Sequence, residues 1–505
     1  MTRSLTRSTT RAPTRSLMVW GASSGAGKSL LTTALCRWAA RQGVRVAPFK
    51  AQNMSNNARV VPGLDGGFGE IGTAQYLQAL AAGVAPTVDM NPVLLKPERD
   101  TASQVVVHGR VDTALTRLPW RERSAALAVA ARQSFDRLAG AHELIIIEGA
   151  GSPAEINLAP QDYVNLGTAR WAREAGPFAA VVVVDIDRGG AFAHLYGTWA
   201  LLPDDLRPSL AGFVLNKFRG DASLLAPGPE QLQALTGVPL LGVLPMRRDH
   251  GLPDEDGVFM PASSASAAAS GPRVAIVAWP HISNLDEFQP LAEAARLVWA
   301  RSVAELEGAD WIILPGSKQV SGDLAWLRTQ GLDVAIGRHA AAGRPVLGVC
   351  GGLQALGAVL SDPEGVDGAA HGPLPGLGLL PLATHYAAPK RLIDAPVHWA
   401  SNLAPPWSAL AGVQCPAYEI RCGHTQPLPD AEASVALRDA QGQAIGWQHG
   451  SVLGIYAHGL FESATAMRAL FGSAPRTLDE RLDGLADLVE EHLTPTHLQQ
   501  LLIGR

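Results

Sequence analysis

The chain of 505 residues has a net charge of -5, and 47% of its residues are hydrophobic and 17% are charged. This composition excludes an intrinsically disordered protein, and the slightly acidic balance disfavours a nucleic-acid-binding surface or a polybasic membrane contact. A chain of this length usually divides into two or more domains, each with its own core. We therefore expect a multidomain protein that acts on a small molecule.

Hydropathy and cysteine usage favour a reducing aqueous compartment. No apolar run reaches the roughly 18 residues needed to span a bilayer, because Gly, Pro or a charged residue interrupts each run. The cysteines lack the paired spacing of a zinc site and the density of a disulfide scaffold. They are Cys36, Cys350, Cys415 and Cys422. We predict a cytoplasmic protein with no membrane partner, and the sequence leaves its oligomeric state open.

Residues 1–16 form a basic segment rich in Arg, Ser and Thr, with no acidic residue. Such a composition resembles an organellar transit peptide, but the segment lacks the apolar centre of a secretory signal. We interpret it as a disordered N-terminal arm.

From residue 17 to residue 261, short apolar runs alternate with helical patterns. The runs are S-L-M-V-W-G, V-R-V-A-P-F, L-I-I-I-E-G, A-V-V-V-V-D and G-F-V-L-N. Short buried strands separated by helices are typical of a doubly wound α/β domain with a parallel sheet.

The first of these strands runs into G-A-S-S-G-A-G-K-S, from Gly21 to Ser29, and then into a helical pattern. A glycine-rich turn at a helix start presents backbone N–H groups to phosphates, and Gly21, Gly25 and Gly27 supply this turn. Lys28 adds a positive charge for the β- and γ-phosphates of ATP, and the Ser29 hydroxyl is a ligand for Mg²⁺. The spacing between Gly21 and Gly27 is longer than in the strict Walker pattern, which indicates a subclass of P-loop proteins.

Polar residues end the later strands of this domain. Glu148 and Asp185 follow buried apolar runs, so we predict Glu148 as a magnesium ligand and Asp185 as a catalytic carboxylate that positions Mg²⁺ or substrate. Lys50 is predicted to face the γ-phosphate and Asn216 to read the base. For Asp187, as for the other carboxylates, a helix cap or a surface salt bridge is the alternative, and Asn216 has the alternative of stabilising a turn.

Residues 262–272, A-S-S-A-S-A-A-A-S-G-P, contain no core-forming side chains and are predicted to be a linker. A second α/β series occupies residues 273–505. Its strands are predicted in R-V-A-I-V-A-W, D-W-I-I-L-P-G-S, R-P-V-L-G-V-C-G-G and S-V-L-G-I-Y-A-H-G-L-F. The closing segment T-L-D-E-R-L-D-G-L-A-D-L-V-E-E-H-L has helical periodicity, and we expect it to pack on this second domain.

Cys350 lies where an apolar strand meets two glycines and a helical run. Such a sharp turn presents the side chain at the tip of the sheet, and the following helix favours a thiolate. We predict that Cys350 is a nucleophile and that His458 is its general base, rather than that Cys350 is an inert core residue. Backbone amides at Gly316 and Gly351 are the predicted oxyanion donors.

Six further segments resemble the cobyric acid synthase family of glutamine amidotransferases. They are F-K-A-Q-N-M-S-N-N, G-E-I-G-T-A-Q, D-M-N-P-V-L-L-K-P, E-G-A-G-S-P-A-E-I-N-L, D-I-D-R-G-G-A-F-A-H and V-L-N-K-F-R-G-D. The resemblance covers nearly the whole chain after the arm. It implies a first domain similar to dethiobiotin synthetase and a second domain that is a glutamine amidotransferase of the cysteine type.

The resemblance also implies the reaction, which is amidation of the b, d, e and g carboxylates of the corrinoid adenosylcobyrinic acid a,c-diamide with glutamine and ATP. Cys350 and His458 match the nucleophile and histidine of the family. Relatives with a full triad carry Glu two residues after the histidine, where this chain has Leu460, so the residue that orients His458 is open and Glu462 is a candidate. Two alternatives stay open, which are cobyrinic acid a,c-diamide synthase and a ParA-like ATPase switch with a non-catalytic second domain.

Overall fold

A computed structural model describes residues 13–99, 102–247, 250, 252, 271–368, 371–429 and 431–504. Residues 1–12 of the predicted arm and 262–270 of the predicted linker lie outside the described residues. The first strand begins at Arg15 and pairs with two neighbouring strands, so the last two residues of the predicted arm belong to the sheet.

In the described part of the first domain, a central sheet contains six parallel strands. In spatial order they are Leu240–Pro245, Leu210–Phe218, Phe178–Asp185, Arg15–Gly21, Leu144–Glu148 and Val46–Phe49. Helices cover both faces, which explains why a strand such as Leu144–Glu148 is buried at every position. The predicted doubly wound sheet is confirmed.

The helices of the first domain are Lys28–Arg41, Thr73–Ala81, Thr113–Arg117, Trp120–Ala141, Thr168–Ala175, Ala191–Leu201 and Gly228–Thr236. Smaller β elements project from the sheet. They are a hairpin of Ala58–Pro62 with Phe68–Gly72, and a sheet of Gln52–Met54, Val93–Arg99, Ala102–Val107 and Arg110–Val111. Across the ranges given above, we find no helix with the length and apolarity needed to cross a membrane.

The second domain has a sheet of nine described strands, of which five are parallel and four extend the sheet in antiparallel pairing. In spatial order they are Arg296–Ala300, Arg273–Val277, Trp311–Leu314, Val346–Val349, Val452–Ile455, Ala444–His449, Ser434–Arg438, Val397–Trp399 and Gln414–Cys415. The second predicted α/β domain is confirmed, and the antiparallel extension adds to the prediction.

A further sheet and several helices complete this domain. The sheet contains His371–Pro375, Val359–Asp362, Leu382–Asp394 and Tyr418–Pro427, and a short pair joins Ile282–Ser283 to Gly316–Ser317. The helices are Val303–Leu306, Val320–Thr329, Leu332–Ala341, Gly351–Leu356 and Ala464–Phe471, with a 3-10 segment at Leu285–Glu293.

The last two helices, Leu478–His492 and Pro495–Leu502, pack on the first domain, next to the helix Lys28–Arg41. The apolar side chains in this cluster include Leu31, Leu35, Leu241, Leu482, Leu485 and Val489. Ion pairs join Arg37 to Asp483 and Arg41 to Asp487. The expectation that the closing helix packs on the second domain is therefore wrong, because an apolar stripe shows that a helix needs a partner surface without identifying that surface.

Candidate active sites

A glycine-rich loop joins the strand Arg15–Gly21 to the helix Lys28–Arg41. Gly25 and Gly27 have positive φ angles of 69° and 102°, a region that favours glycine. A Cβ atom at Gly27 would lie 1.9 Å from Nδ2 of Asn216, so the loop also requires glycine there for space. The loop therefore has the strand, turn and helix order that a phosphate site at a helix N-terminus needs.

Two residues predicted for nucleotide binding contact the backbone of this loop. The buried Lys28 side chain donates from Nζ to the carbonyl oxygen of Ser23 at 3.3 Å. Asn216 donates from Nδ2 to the carbonyl oxygen of Ala26 at 2.9 Å. Asn216 thus supports the loop, which is the role that the sequence offered as the alternative to base recognition.

Glu148 is the centre of a buried polar cluster beside the loop. Its Oε1 accepts hydrogen bonds from Ser29 Oγ at 2.8 Å and from Lys50 Nζ at 2.7 Å. Its Oε2 accepts from the side-chain amides of Gln75 and Gln78. A fully buried carboxylate is costly unless it is paired and hydrogen-bonded, and these contacts meet that requirement. The structure therefore brings Ser29, Lys50 and Glu148 together at one point.

This cluster fits a magnesium ion that is shared with a nucleotide. The Ser29 hydroxyl and the Glu148 carboxylate can each supply an oxygen ligand. Mg²⁺ usually takes one or two carboxylates together with substrate phosphates and water. Within the described ranges, no group of three or more His, Cys, Asp and Glu side chains is arranged to hold a metal ion. Magnesium at Ser29 and Glu148 would take its remaining ligands from phosphate oxygens and water.

Asp185 lies on the other side of the loop, at the end of the strand next to Arg15–Gly21. Its Oδ1 accepts from the backbone N–H of Asp187 at 3.0 Å, and its Oδ2 accepts from Lys217 Nζ at 3.0 Å. Lys217 also donates to the carbonyl oxygen of Gly25 at 2.7 Å. Asp185 therefore caps a turn and, through Lys217, connects to the phosphate loop, whereas Asp187 forms an ion pair near the surface.

In the second domain, Cys350 forms a sharp turn between the strand Val346–Val349 and the helix Gly351–Leu356. Its φ and ψ angles are 52° and -105°, a strained backbone for a residue with a Cβ atom. A Cβ atom at Gly352 would lie 1.9 Å from the carbonyl oxygen of Leu314. Strain of this kind at a strand-to-helix turn is typical of a nucleophile elbow.

The glycines predicted as oxyanion donors lie beside this elbow. A Cβ atom at Gly351 would lie 2.6 Å from the backbone nitrogen of Ser317, and one at Gly316 would lie 3.5 Å from Cε1 of His458. The backbone of Gly316 and Ser317 therefore runs past both Cys350 and His458. This placement fits the role predicted for the two glycines.

His458 is oriented by Glu287, a residue that the sequence analysis missed. Its Nδ1 lies 2.8 Å from Glu287 Oε1, and the Gly459 N–H donates to Glu287 Oε2 at 3.0 Å. Burial alone would lower the pKa of His458, but the charge of Glu287 and the contacts with Glu287 and Cys350 raise that pKa to about 10. The protonated imidazole of His458 therefore lies beside Cys350, where it can donate a proton to a leaving group.

Glu462, the candidate from the sequence for orienting His458, instead pairs with Arg59. The acid that contacts His458 is Glu287. Glu287 precedes His458 by 171 residues, so no spacing rule links the two. The local sequence does not distinguish Glu287 from the neighbouring Asp286.

We expect Glu287→Gln to slow glutamine hydrolysis by about 10²- to 10⁴-fold, the scale seen when the acid that orients a catalytic histidine is neutralised. Without the negative charge the pKa of His458 falls, so less imidazolium is present at pH 8 to stabilise the thiolate. Rates of glutamine hydrolysis and of Cys350 alkylation by iodoacetamide at pH 8 measure both effects, and both rates are expected to fall.

Glu293→Gln is the matched control. Glu293 ends the same 3-10 segment and pairs with Arg481 near the surface, so both rates should stay close to those of the unmodified protein. Unchanged hydrolysis in Glu287→Gln would show that another group orients His458.

A cavity of about 120 Å³ lies over Cys350 and is lined by both domains. Its lining includes Cys350, Gln354 and His458 of the second domain and Asn56, Lys96 and Gln104 of the first. Lys390 donates to Glu70 at 2.8 Å, and Glu70 is also paired with Lys96. Burial lowers the pKa of Lys96 to about 8 against the opposing effect of Glu70. The predicted second-domain site is therefore a shared pocket.

Both domains match known families. Residues 17–257 match the CobQ/CobB/MinD/ParA nucleotide binding domain. Residues 273–466 match the CobB/CobQ-like glutamine amidotransferase domain. The first match indicates use of ATP, and the second indicates a glutamine-hydrolysing amidotransferase.

Proteins similar to this chain over nearly its whole length are cobyric acid synthases. The protein from Methylibium petroleiphilum is 59% identical over 501 residues, which are 98% of this chain and 98% of that protein. The protein from Leptothrix cholodnii is 59% identical and that from Variovorax paradoxus 57% identical, and each match covers 97% of this chain and 98% or more of the relative. The chain therefore belongs to the cobyric acid synthase family, the glutamine-hydrolysing amidotransferases of cobalamin biosynthesis.

Proposed function

We propose that the enzyme amidates the b, d, e and g carboxylates of adenosylcobyrinic acid a,c-diamide to give adenosylcobyric acid. Glutamine is the nitrogen donor, and ATP with Mg²⁺ activates each carboxylate. The observation that carries this proposal is the pairing of two sites on one chain, a phosphate loop beside Glu148 and a Cys350–His458–Glu287 arrangement, with a cavity at Cys350 that both domains line.

The first domain converts each carboxylate into a form that ammonia can attack. A carboxylate does not react with ammonia because oxide is a poor leaving group, so a carboxylate oxygen of the corrinoid attacks the γ-phosphorus of ATP and releases ADP. Ammonia then attacks the carbonyl carbon of the acyl phosphate, and inorganic phosphate leaves. Lys28 and Lys50 hold the charge of the transferring phosphoryl group. Ser29 and Glu148 would hold a magnesium ion, which would supply further positive charge there.

The second domain supplies ammonia. The Cys350 thiolate attacks the side-chain amide carbon of glutamine, and protonated His458 gives its proton to the departing nitrogen as the C–N bond breaks. Water then hydrolyses the thioester with His458 as the base, which releases glutamate and restores the thiolate. Backbone amides beside Gly316 and Gly351 stabilise the oxyanion in both steps. A thiol nucleophile of this kind supports a reducing cytoplasm as the place of action.

The test is mass spectrometry of the corrinoid after incubation of the full chain with the a,c-diamide, glutamine, ATP and Mg²⁺. We expect tri-, tetra- and pentaamide intermediates followed by the hexaamide. If the chain instead amidates cobyrinic acid at the a and c positions and stops there, the sister synthase is the correct assignment. A chain that hydrolyses no glutamine would be a nucleotide switch.

Asp185→Asn is expected to slow amidation by about 10- to 100-fold, the range typical when a group that orients a metal ligand or its support is changed. The substitution keeps the shape but removes the charge that holds Lys217 against the phosphate loop. In the same assay the corrinoid should stall near the diamide, whereas Asp187→Asn, which loses an ion pair near the surface, serves as the control. Hexaamide formation by Asp185→Asn at the normal rate would show that Asp185 only caps a turn.

A further inference from the structure

Arg59 is a residue of the first domain whose side chain is buried against the second domain. It lies on the hairpin of Ala58–Pro62 and Phe68–Gly72 and is only 6% exposed. Its Nη2 donates to Asp286 Oδ2 and to Glu462 Oε1, both at 2.5 Å, and its Nη1 donates to Glu462 Oε2 at 3.0 Å. The guanidinium therefore forms a forked bond to one acid and a single bond to another.

The same guanidinium lies over an aromatic ring that contacts the catalytic histidine. The Arg59 Cζ atom is 4.8 Å from the centre of the Tyr418 ring. That ring stacks on the His458 imidazole, with centres 5.0 Å apart and planes at 18°. The backbone N–H of His458 also donates to the backbone carbonyl oxygen of Tyr418 at 2.9 Å. Displacement of Tyr418 would therefore change the surface against which His458 is held.

The hairpin also fixes the segment that carries Glu287. Asp286, which Arg59 binds, is the residue before Glu287 in the chain. The Ala58 N–H donates to Asn284 Oδ1 at 3.0 Å, and the Leu285 N–H donates to Asn57 Oδ1 at 3.2 Å. The first domain thus contacts both sides of His458, through Tyr418 on one side and through the acid-bearing segment on the other.

Interface stability alone is a poor explanation for this arrangement. Removing charges from water is expensive, and an apolar side chain of similar volume often stabilises a buried contact as well as an ion pair does. A buried charge network instead specifies one geometry, because each partner accepts only certain directions. Here Arg59 contacts Tyr418, which stacks on the His458 ring, and Asp286, the neighbour in the chain of the Glu287 that binds His458.

We propose that Arg59 is a positioning residue of the glutaminase, supplied by the synthetase domain, which aligns His458 through Tyr418 and through the Asp286–Glu287 segment. The geometry makes glutamine hydrolysis dependent on contact between the two domains. The second domain by itself lacks the guanidinium that holds both Tyr418 and the Asp286–Glu287 segment. The proposal rests on the proposed function only for the comparison with ammonia-dependent synthesis.

The test uses Arg59→Met and Arg59→Lys in the full chain. In Arg59→Met, kcat for glutamine hydrolysis should fall by about 10²-fold, the scale for misplacing a catalytic group by about 1 Å. The KM for glutamine should stay within about twofold, because Arg59 does not touch the Cys350 cavity. Arg59→Lys keeps the charge but loses the planar fork, so it should restore part of the rate. Amidation with ammonium chloride should be unchanged in both variants.

Two further variants keep the test decisive. Arg110→Met removes an exposed ion pair with Asp65, in the turn of the same hairpin, and should leave kcat unchanged. Tyr418→Leu removes the ring between Arg59 and His458 and should reproduce the kcat loss. Equal loss of ammonia-dependent amidation in Arg59→Met, or an unchanged kcat, overturns the proposal. If the proposed function were incorrect, the unmodified chain would form no hexaamide, while the kcat comparison for glutamine would still hold.

Discussion

We expect Cys350→Ala to abolish glutamine-dependent amidation and to leave ammonia-dependent amidation intact. Loss of the nucleophile should lower the rate of glutamine hydrolysis by about 10⁴-fold or more, because the other members of the arrangement cannot form a thioester. Cys350 is held at a strained elbow beside His458, and no neighbouring thiol occupies an equivalent turn among the described residues. An alanine side chain is smaller than the thiol, so the fold should tolerate the change.

The measurement compares corrinoid amidation with glutamine and with a high concentration of ammonium chloride at pH 8.5, where more NH₃ is present. Cys415→Ala is the matched control, because Cys415 is a buried thiol on the edge strand Gln414–Cys415 and lies outside the Cys350 cavity. It should keep both activities. Loss of both activities in Cys350→Ala would contradict the division of labour between the domains.

Lys28→Ala should differ from Cys350→Ala, because amidation should fall with either nitrogen donor. The Lys28 side chain is buried under the phosphate loop, and removal of one group that stabilises a developing charge typically costs about 10²- to 10³-fold in kcat. Glutamine hydrolysis should persist, since Cys350, His458 and Glu287 are untouched. ATP hydrolysis and ammonia-dependent amidation, measured at saturating corrinoid, report the loss.

Arg45→Ala is a suitable control for Lys28→Ala. Arg45 lies just before the strand Val46–Phe49 of the same domain and forms an exposed ion pair with Glu143, so its removal should leave amidation unchanged. Ammonia-dependent amidation at the normal rate in Lys28→Ala would rule out the phosphate-loop assignment.

The fold class and the two loop motifs could be predicted because their signals are local. A run such as Leu144–Glu148 is apolar at each position except its last, which indicates a strand covered on both faces. Lys28 and Cys350 each follow a strand and precede a helix, so the sequence near them specifies how they are presented. The catalytic roles of these residues stay predictions until the variants above are measured.

Contacts between distant segments could not be predicted from these signals. Glu287 and Arg59 act on the surroundings of His458 from positions far away in the chain, and nothing in their local pattern distinguishes them from other charged residues. The positions of the lysines are a further signal in the sequence. Every lysine of this arginine-rich chain lies beside the phosphate loop or in the Cys350 cavity. They are Lys28, Lys50, Lys96, Lys217, Lys318 and Lys390.

The docking of Leu478–His492 and Pro495–Leu502 on the first domain has a consequence for synthesis on the ribosome. Chains emerge from their N-terminus and domains usually fold as they appear. Here part of the cover of the strip that includes Leu31, Leu35 and Leu241 comes from the segment from Leu478 onward, which is translated late. A nonsense mutation shortly before Leu478 would leave the strands of the glutaminase domain encoded. It would expose the apolar face of the helix Lys28–Arg41. The truncated chain should therefore lose ATP-dependent chemistry and aggregate through its first domain.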